Sequence, residues 1–193
     1  MKIGLFFGSF NPIHIGHLIL ANSMAEHEHA NLDQVWFVVS PQNPFKKKKN
    51  LLHEFDRFSM VRQAIADNPK FNATDVEFHM PKPSYTADTL AWLTDKYPRH
   101  QFRLIIGEDN LKNFPKWKNS SAILDNYGLL VYPRAGATES DLTKHPNVQL
   151  VDAPQVDISA TFIRNSIKEG KSIKYLVPEE VEAYIKMKKF YLD

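Results

Sequence analysis

IGLFFGSFNPIHIGHL, residues 3–18, joins an apolar run to a glycine, a turn and two histidines. Ile3 to Phe7 reads as a strand buried on both faces. Gly8 directly after it lets the main chain turn tightly and approach a ligand. Asn11-Pro12 favours a turn. Leu18 to His29 then carries apolar residues at helical spacing: Leu18, Leu20, Ala21, Met24 and Ala25. A strand, a glycine turn and a helix in that order put unpaired N–H groups and a partial positive charge at the helix start. Gly16 would permit close approach there. His14 and His17 share a face toward the loop if the helix starts early, where two imidazoles can donate to phosphate oxygens. Taken alone, His-x-x-His reads equally as one packed histidine and one solvated one. No further ligand at suitable spacing makes it a metal site, so none is assigned.

Working outward, the same alternation repeats. Val35 to Val39 reads as a second buried strand, emptying into the loop SPQNPFKKKKN. Glu54 to Asn68 has helical spacing, and Ala73 to His79 looks like a strand. Thr86 to Tyr97 is helical, with Thr86 or Ser84 available to cap it. Phe102 to Ile106, Tyr127 to Tyr132 and Val148 to Val151 complete the strands, with GEDNLKNFPKWKNS read as a loop. From about Ser159 the chain is helical, with Pro178 in the first turn of the last helix. Strands alternating with helices give an α/β fold: a Rossmann-like, doubly wound parallel sheet with a small helical C-terminal part over 159–193. Ligands of such sheets sit beyond the carboxyl ends of the strands. GSFNP, SPQNP, GEDN and DISAT all follow predicted strands, so they are expected along one rim.

Bulk composition fits this reading. The chain has 193 residues, 43% of them hydrophobic and 24% charged, which suits one domain over 1–193. That is short for an enzyme carrying catalytic, editing and anticodon-binding domains. A net charge of +2 gives no nucleic-acid signature. No cysteine is present, which excludes disulfides, thiolate zinc sites and iron–sulfur clusters. Neither a signal peptide nor a membrane-spanning run is evident, so a cytoplasmic protein without nucleic-acid or membrane partners is expected, with room for a homo-oligomer.

The opening segment resembles the G-[GST]-F-[DN]-P-x-H-x-G-H signature of the nucleotidylyltransferase superfamily, with Asn11 where Asp is commoner. That superfamily shares its fold and HIGH element with class I aminoacyl-tRNA synthetases. Its second phosphate-binding element, I-S-[ST]-T-x-[IL]-R, resembles Ile158-Ser159-Ala160-Thr161-Phe162-Ile163-Arg164, with Ala160 relaxed. There Ser159 or Thr161 can cap a helix whose N–H groups face an anion, and Arg164 supplies a fork suited to phosphate. The lysines of Lys186 to Lys189 close a C-terminal helix, where they favour the dipole, and are read as structural.

Three inner segments resemble bacterial nicotinate mononucleotide adenylyltransferases: Ser84-Tyr85-Thr86-Ala87-Asp88-Thr89-Leu90, Gly107-Glu108-Asp109-Asn110 with Pro115-Lys116-Trp117, and Pro41 to Lys46. Phe45 stands where that family often has histidine, and which of Lys46 to Lys49 faces ligand stays open. The resemblance implies transfer of the adenylyl group of ATP to nicotinate mononucleotide, with Mg²⁺ bound alongside ATP. It implies catalytic roles for His14, His17 and Arg164. ATP would meet Gly8, Ser9, Phe10, Lys46, Gly107, Asp109, Ile158, Ser159 and Thr161. The pyridine nucleotide would meet Tyr85, Thr86, Trp117 and Arg134. Trp117 can stack on a pyridine ring, and N–H groups near Tyr85 and Thr86 can receive its carboxylate. Nicotinamide mononucleotide or phosphopantetheine as acceptor, or a nucleotide-binding regulator without turnover, remain the alternatives.

Overall fold

The computed structural model describes residues 1–41, 51–136, 138 and 140–192. Six parallel strands form one sheet: β1 (Lys2–Gly8), β2 (Gln34–Val39), β3 (Phe71–Thr74), β4 (Gln101–Gly107), β5 (Leu129–Tyr132) and β6 (Val148–Leu150). Their spatial order is β3-β2-β1-β4-β5-β6, so the order reverses beside β1. A crevice opens at such a reversal point, beyond the carboxyl ends of the central strands.

The side-chain period of two explains the layers. Ile3, Leu5, Trp36, Val38, Leu104, Ile106, Leu129 and Val131 enter one core. Their alternates Phe6, Val35, Phe37, Ile105 and Leu130 enter another. Helices α1 (Ile15–Glu26), α2 (Glu54–Ala64), α5 (Ala160–Lys168) and α6 (Glu179–Lys188) cover the second core, while α3 (Thr86–Lys96) and α4 (Ser120–Asn126) cover the first. Both faces are therefore buried, as the continuous apolar strands demand.

Register aligns the functional edge. Gly8 pairs with Val39, Phe6 with Ile105, and Gly107 with Tyr132. Gly8, Val39, Gly107 and Tyr132 thus end at one level, and the loops after them open on one side.

Five local features differ from expectation. Helix α1 starts at Ile15 rather than Leu18, because His14 and His17 build its first turn. Strand β3 stops at Thr74, the last residue paired with β2, and Val76–His79 is a 3₁₀ turn. The Thr74 hydroxyl accepts from Val76 N at 3.3 Å, which turns the chain away from the strand direction. Neither Ser84 nor Thr86 caps α3: Tyr85 occupies that position, without a side-chain cap. The stretch read as a loop after β4 contains two 3₁₀ turns and runs into α4, entered through Asn119 at φ +53°. Pro178 sits one position earlier than predicted, at the N-cap of α6. Among the described residues no helix is long and apolar enough to cross a membrane.

Candidate active site

The loop leaving β1 folds inward on itself. Phe10 is buried, at φ +43°, and a Cβ at Gly8 would stand 2.7 Å from the tip of its ring. The glycine is therefore required by the loop's own packing. Of Phe10 only the backbone remains for a ligand, since its ring packs on Phe6, Phe37 and His17.

His14 is the N-cap residue of α1, and its backbone N–H donates to His17 Nδ1 at 3.2 Å. That bond fixes the neutral His17 tautomer with its proton on Nε2. The two rings stack with centroids 3.7 Å apart. His14 is 5% exposed, and its Nδ1 has no hydrogen-bond partner among the described residues. Burial, and then the nearby positive charge of Arg134, lower its pKa to about 4. A second proton would enter a buried ring without an acceptor, so the imidazole stays neutral. Gly16 permits this arrangement, since a Cβ there would press on His14 Nδ1 at 3.1 Å. Its closeness serves the histidine, where a ligand was expected.

The second motif arrives at the same loop from 150 residues away. Ser159 caps α5, its hydroxyl accepting from Phe162 N at 3.1 Å, so of the two expected caps Ser159 fills the role. Arg164 donates to the Asn11 carbonyl at 2.8 Å and to the Thr161 hydroxyl at 3.0 Å. Ile158 lies half-buried just before the cap. The Asn11 side-chain oxygen accepts from Leu52 N at 3.3 Å and from the buried Tyr191 hydroxyl at 2.8 Å. One residue of the opening motif thus ties together α5, the approach to α2 and the stretch after α6.

At the end of β4, Gly107 is buried and a Cβ would collide with Asp109 Oδ1 and press on Arg134 and Tyr132. Asp109 and Arg134 are exposed, and the Arg134 guanidinium lies 5.4 Å from the Tyr132 ring centre. Gly107, Asp109 and Arg134 are therefore gathered on the rim, with Arg134 close enough to influence His14.

The acceptor segments also meet. Lys118 pairs with Asp88 at 2.8 Å and lies 4.7 Å from the Tyr85 ring centre, drawing the residue after Trp117 onto the start of α3. Trp117 is half-buried against Phe114, with centroids 5.4 Å apart, and borders the first core. Tyr85 is 41% exposed. Lys46 lies outside the described residues. Among those described, no three His, Asp or Glu side chains converge to hold a metal ion.

Sequence reasoning missed two buried charges. Arg57 is fully buried, and donates to the carbonyls of Ser9 (2.5 Å), Ser40 (2.7 Å), Pro41 (2.9 Å) and Leu52 (3.0 Å). Its signal was available: it shares the inward stripe of α2 with Met60 and Val61. Glu77 is 3% exposed, and burial raises its pKa while the Thr89 hydroxyl, donating at 2.8 Å, opposes the shift. Nothing in Asp75-Val76-Glu77-Phe78 announces it, because the expected strand would have turned it to an unspecified face.

Comparisons agree with this geometry. A family model described as cytidylyltransferase-like matches residues 5–166. A "probable nicotinate-nucleotide adenylyltransferase" of Cytophaga hutchinsonii is 63% identical over 191 residues, covering 99% of this chain and 98% of that protein. A relative of the same printed name from Flavobacterium johnsoniae is 53% identical over 193 residues, covering 99% of each. The nicotinic acid mononucleotide adenylyltransferase of Plasmodium falciparum, solved in complex with NaAD, superposes with a TM-score of 0.81 at 20% identity. It covers 98% of this chain and 97% of that one, which establishes the shared fold.

Proposed function

The chain belongs to the cytidylyltransferase-like family, and from that premise we propose that it transfers the adenylyl group of ATP to nicotinate mononucleotide, giving nicotinate adenine dinucleotide and pyrophosphate. The observation that carries the reaction class is the bond from Arg164 to the Asn11 carbonyl, which joins two motifs 153 residues apart into one phosphate-facing cluster. The acceptor is carried by the names of relatives up to 63% identical along nearly the whole chain. Residues 1–193 act as one catalytic unit on this reading.

A phosphate oxygen of the mononucleotide attacks the α-phosphorus of ATP in line. The new P–O bond forms as the bond to the β-phosphate bridging oxygen breaks, and pyrophosphate departs. The attacking phosphate is already ionised, so no strong base is needed, and catalysis rests on positioning and charge stabilisation. His17, protonated on Nε2, donates to the oxygens of the reacting phosphorus. His14, neutral at physiological pH, offers hydrogen bonding without repelling Arg134. Ser159, Thr161 and Arg164 hold the β- and γ-phosphates, with the N-terminus of α5 adding its N–H groups; at α1 the Ile15 N–H is already taken by the Leu176 carbonyl. Ile158 lines that turn, and Lys46 assists. The backbone of Gly8, Ser9 and Phe10 meets the α-phosphate side. Gly107 and Asp109 take the adenosine, and Arg134 stands between adenosine and acceptor. Tyr85, Thr86 and Trp117 receive the pyridine nucleotide.

Mg²⁺ bound to the triphosphate would screen its charge. The side chains assigned to the phosphates are neutral or cationic, which suits an ion whose ligands are phosphate oxygens and water.

Pyrophosphate release, measured with ATP, Mg²⁺ and each of nicotinate mononucleotide, nicotinamide mononucleotide and phosphopantetheine, tests the proposal. Turnover is expected to be fastest with the first. Preference for either other acceptor would reassign the enzyme, and ATP binding without turnover on any acceptor would make it a regulator.

A further inference from the structure

Beyond Arg164 the chain supplies no proposed substrate contact, yet it returns to both ends of the turn that precedes α1. The Leu176 carbonyl accepts from Ile15 N at 2.9 Å, at the start of the helix. The buried Tyr191 hydroxyl donates at 2.8 Å to Asn11 Oδ1, an oxygen that also accepts from Leu52 N at 3.3 Å. The Asn11 carbonyl accepts from one terminal nitrogen of Arg164 at 2.8 Å. The other terminal nitrogen donates to Thr161 Oγ1 at 3.0 Å. Tyr191, Asn11 and Arg164 thus form one line of hydrogen bonds from the end of the fold to the phosphate cluster.

Tyr191 is held in an uncommon backbone state to make its bond. Its φ is +63°, two residues after Lys189 at +55°, and bulky side chains rarely adopt the left-handed region. Such conformations persist where surrounding contacts over-determine them. Docking of α6 does not need the hydroxyl: Val181 and Ile185 enter the core, and the Tyr184 hydroxyl donates to Asp56 at 3.0 Å. A phenylalanine ring would fill the same space, so packing accounts for the ring and leaves the hydroxyl unexplained. A buried hydroxyl costs stability unless it is bonded, and this one is bonded to the residue whose carbonyl meets Arg164. From the juxtaposition of Tyr191, Asn11 and Arg164 we infer that Tyr191 is a positioning residue for the triphosphate. Its hydroxyl fixes the Asn11 side chain, the fixed residue presents its carbonyl to Arg164, and that carbonyl aims the guanidinium at the β- and γ-phosphates. This rests on the adenylyl-transfer reading, in which Arg164 meets those phosphates. Contacts to adenosine and to the acceptor lie on other elements and do not pass through Tyr191.

Calorimetric dissociation constants of the full chain test this with three ligands: ATP, AMP and nicotinate mononucleotide. The last two lack β- and γ-phosphates. Loss of one hydrogen bond is expected to weaken ATP about fivefold in Tyr191→Phe, while AMP and the mononucleotide stay within about twofold. In an Arg164→Ala background the same substitution should change ATP affinity by less than about 1.5-fold, because the group it acts through is gone. Asn11→Ala removes the side-chain acceptor and keeps the main-chain carbonyl. It should give the same contrast between ATP and AMP, which keeps the test decisive if Tyr191→Phe does not fold. A merely structural hydroxyl would lower Tm and weaken all three ligands alike, or weaken ATP equally in both backgrounds. Wild-type ATP affinity in folded Tyr191→Phe overturns the inference, as does equal weakening of ATP and AMP or an equal loss without Arg164. If the wild type turns over no nicotinate mononucleotide, the functional reading falls; an active wild type whose Tyr191→Phe variant binds ATP as tightly removes this inference alone.

Discussion

Replacing Arg57 by methionine keeps length and much of the volume but deletes every donor. The four carbonyls it serves belong to the main chain, so the substitution cannot remove them along with the guanidinium. Hydrogen bonds to a charged group contribute about 1.5–3 kcal/mol each, which sums to a gross loss of about 6–12 kcal/mol. Returning the guanidinium to water in the unfolded state costs the native protein several kcal/mol, and that offset disappears in the variant. The net destabilisation expected is about 3–5 kcal/mol. Ser9 and Ser40 are only half-buried, so water can reach their carbonyls, which favours the lower figure. For a chain of this size each kcal/mol moves Tm by about 2–4 °C, giving a fall of about 6–12 °C. Differential scanning calorimetry, with urea midpoints as a second measure, reads this directly. Arg57→Lys keeps the charge and up to three donors, and should recover roughly half. An Arg57→Met protein melting within about 2 °C of wild type would refute the reasoning, because it would mean the four bonds and the desolvation cancel.

Three further outcomes are expected. His17→Ala removes a donor to charge developing at phosphorus, so kcat should fall at least about a hundredfold, with the fold intact by circular dichroism; near-normal turnover would end that assignment. His14 has a folded pKa of about 4 against 6.5 unfolded, so below pH 6.5 the unfolded chain binds more protons than the native one. Its stabilising contribution, roughly 3 kcal/mol, is full above that pH and lost as pH falls toward 4. Urea midpoints of wild type and His14→Gln should converge across that window, and parallel curves would contradict the burial argument. Trp117→Ala should raise KM for the mononucleotide well beyond that for ATP, with a modest loss of Tm from its packing on Phe114; equal rises for both substrates would make it purely a core residue.

Much of the architecture was legible because both sheet faces are buried. Strands β1 and β2 are unbroken apolar runs, β4 is interrupted only by Arg103, and register then aligns their ends without further instruction. The strand predicted over Ala73–His79 failed because pairing depends on a neighbour that ends at Val39, which local pattern cannot know. Helix α4 escaped notice because it is short and follows a proline- and lysine-rich stretch, although Asn119-Ser120 before Ile123 and Leu124 was a usable start signal. In the site, the motif residues that meet at Asn11 were legible from type and spacing. Their supports were not. Arg57, Glu77 and Tyr191 act by hydrogen bonds to residues 5 to 180 positions distant, and only tertiary folding reveals which carbonyl or hydroxyl each finds.

The bond from the Tyr191 hydroxyl to Asn11 bears on how the protein is made. During synthesis the sheet strands and the helix carrying both histidines leave the ribosome well before residues 160–191. Until those residues emerge, Asn11 lacks two of its anchors, Arg164 on its carbonyl and Tyr191 on its side chain. A nascent chain stalled near residue 155 would hold all six strands and the first nucleotide motif, yet could not assemble the phosphate cluster. Catalytic competence is thereby deferred to the last turn of folding, and a product truncated short of Tyr191 would build the scaffold while leaving its first loop unlatched.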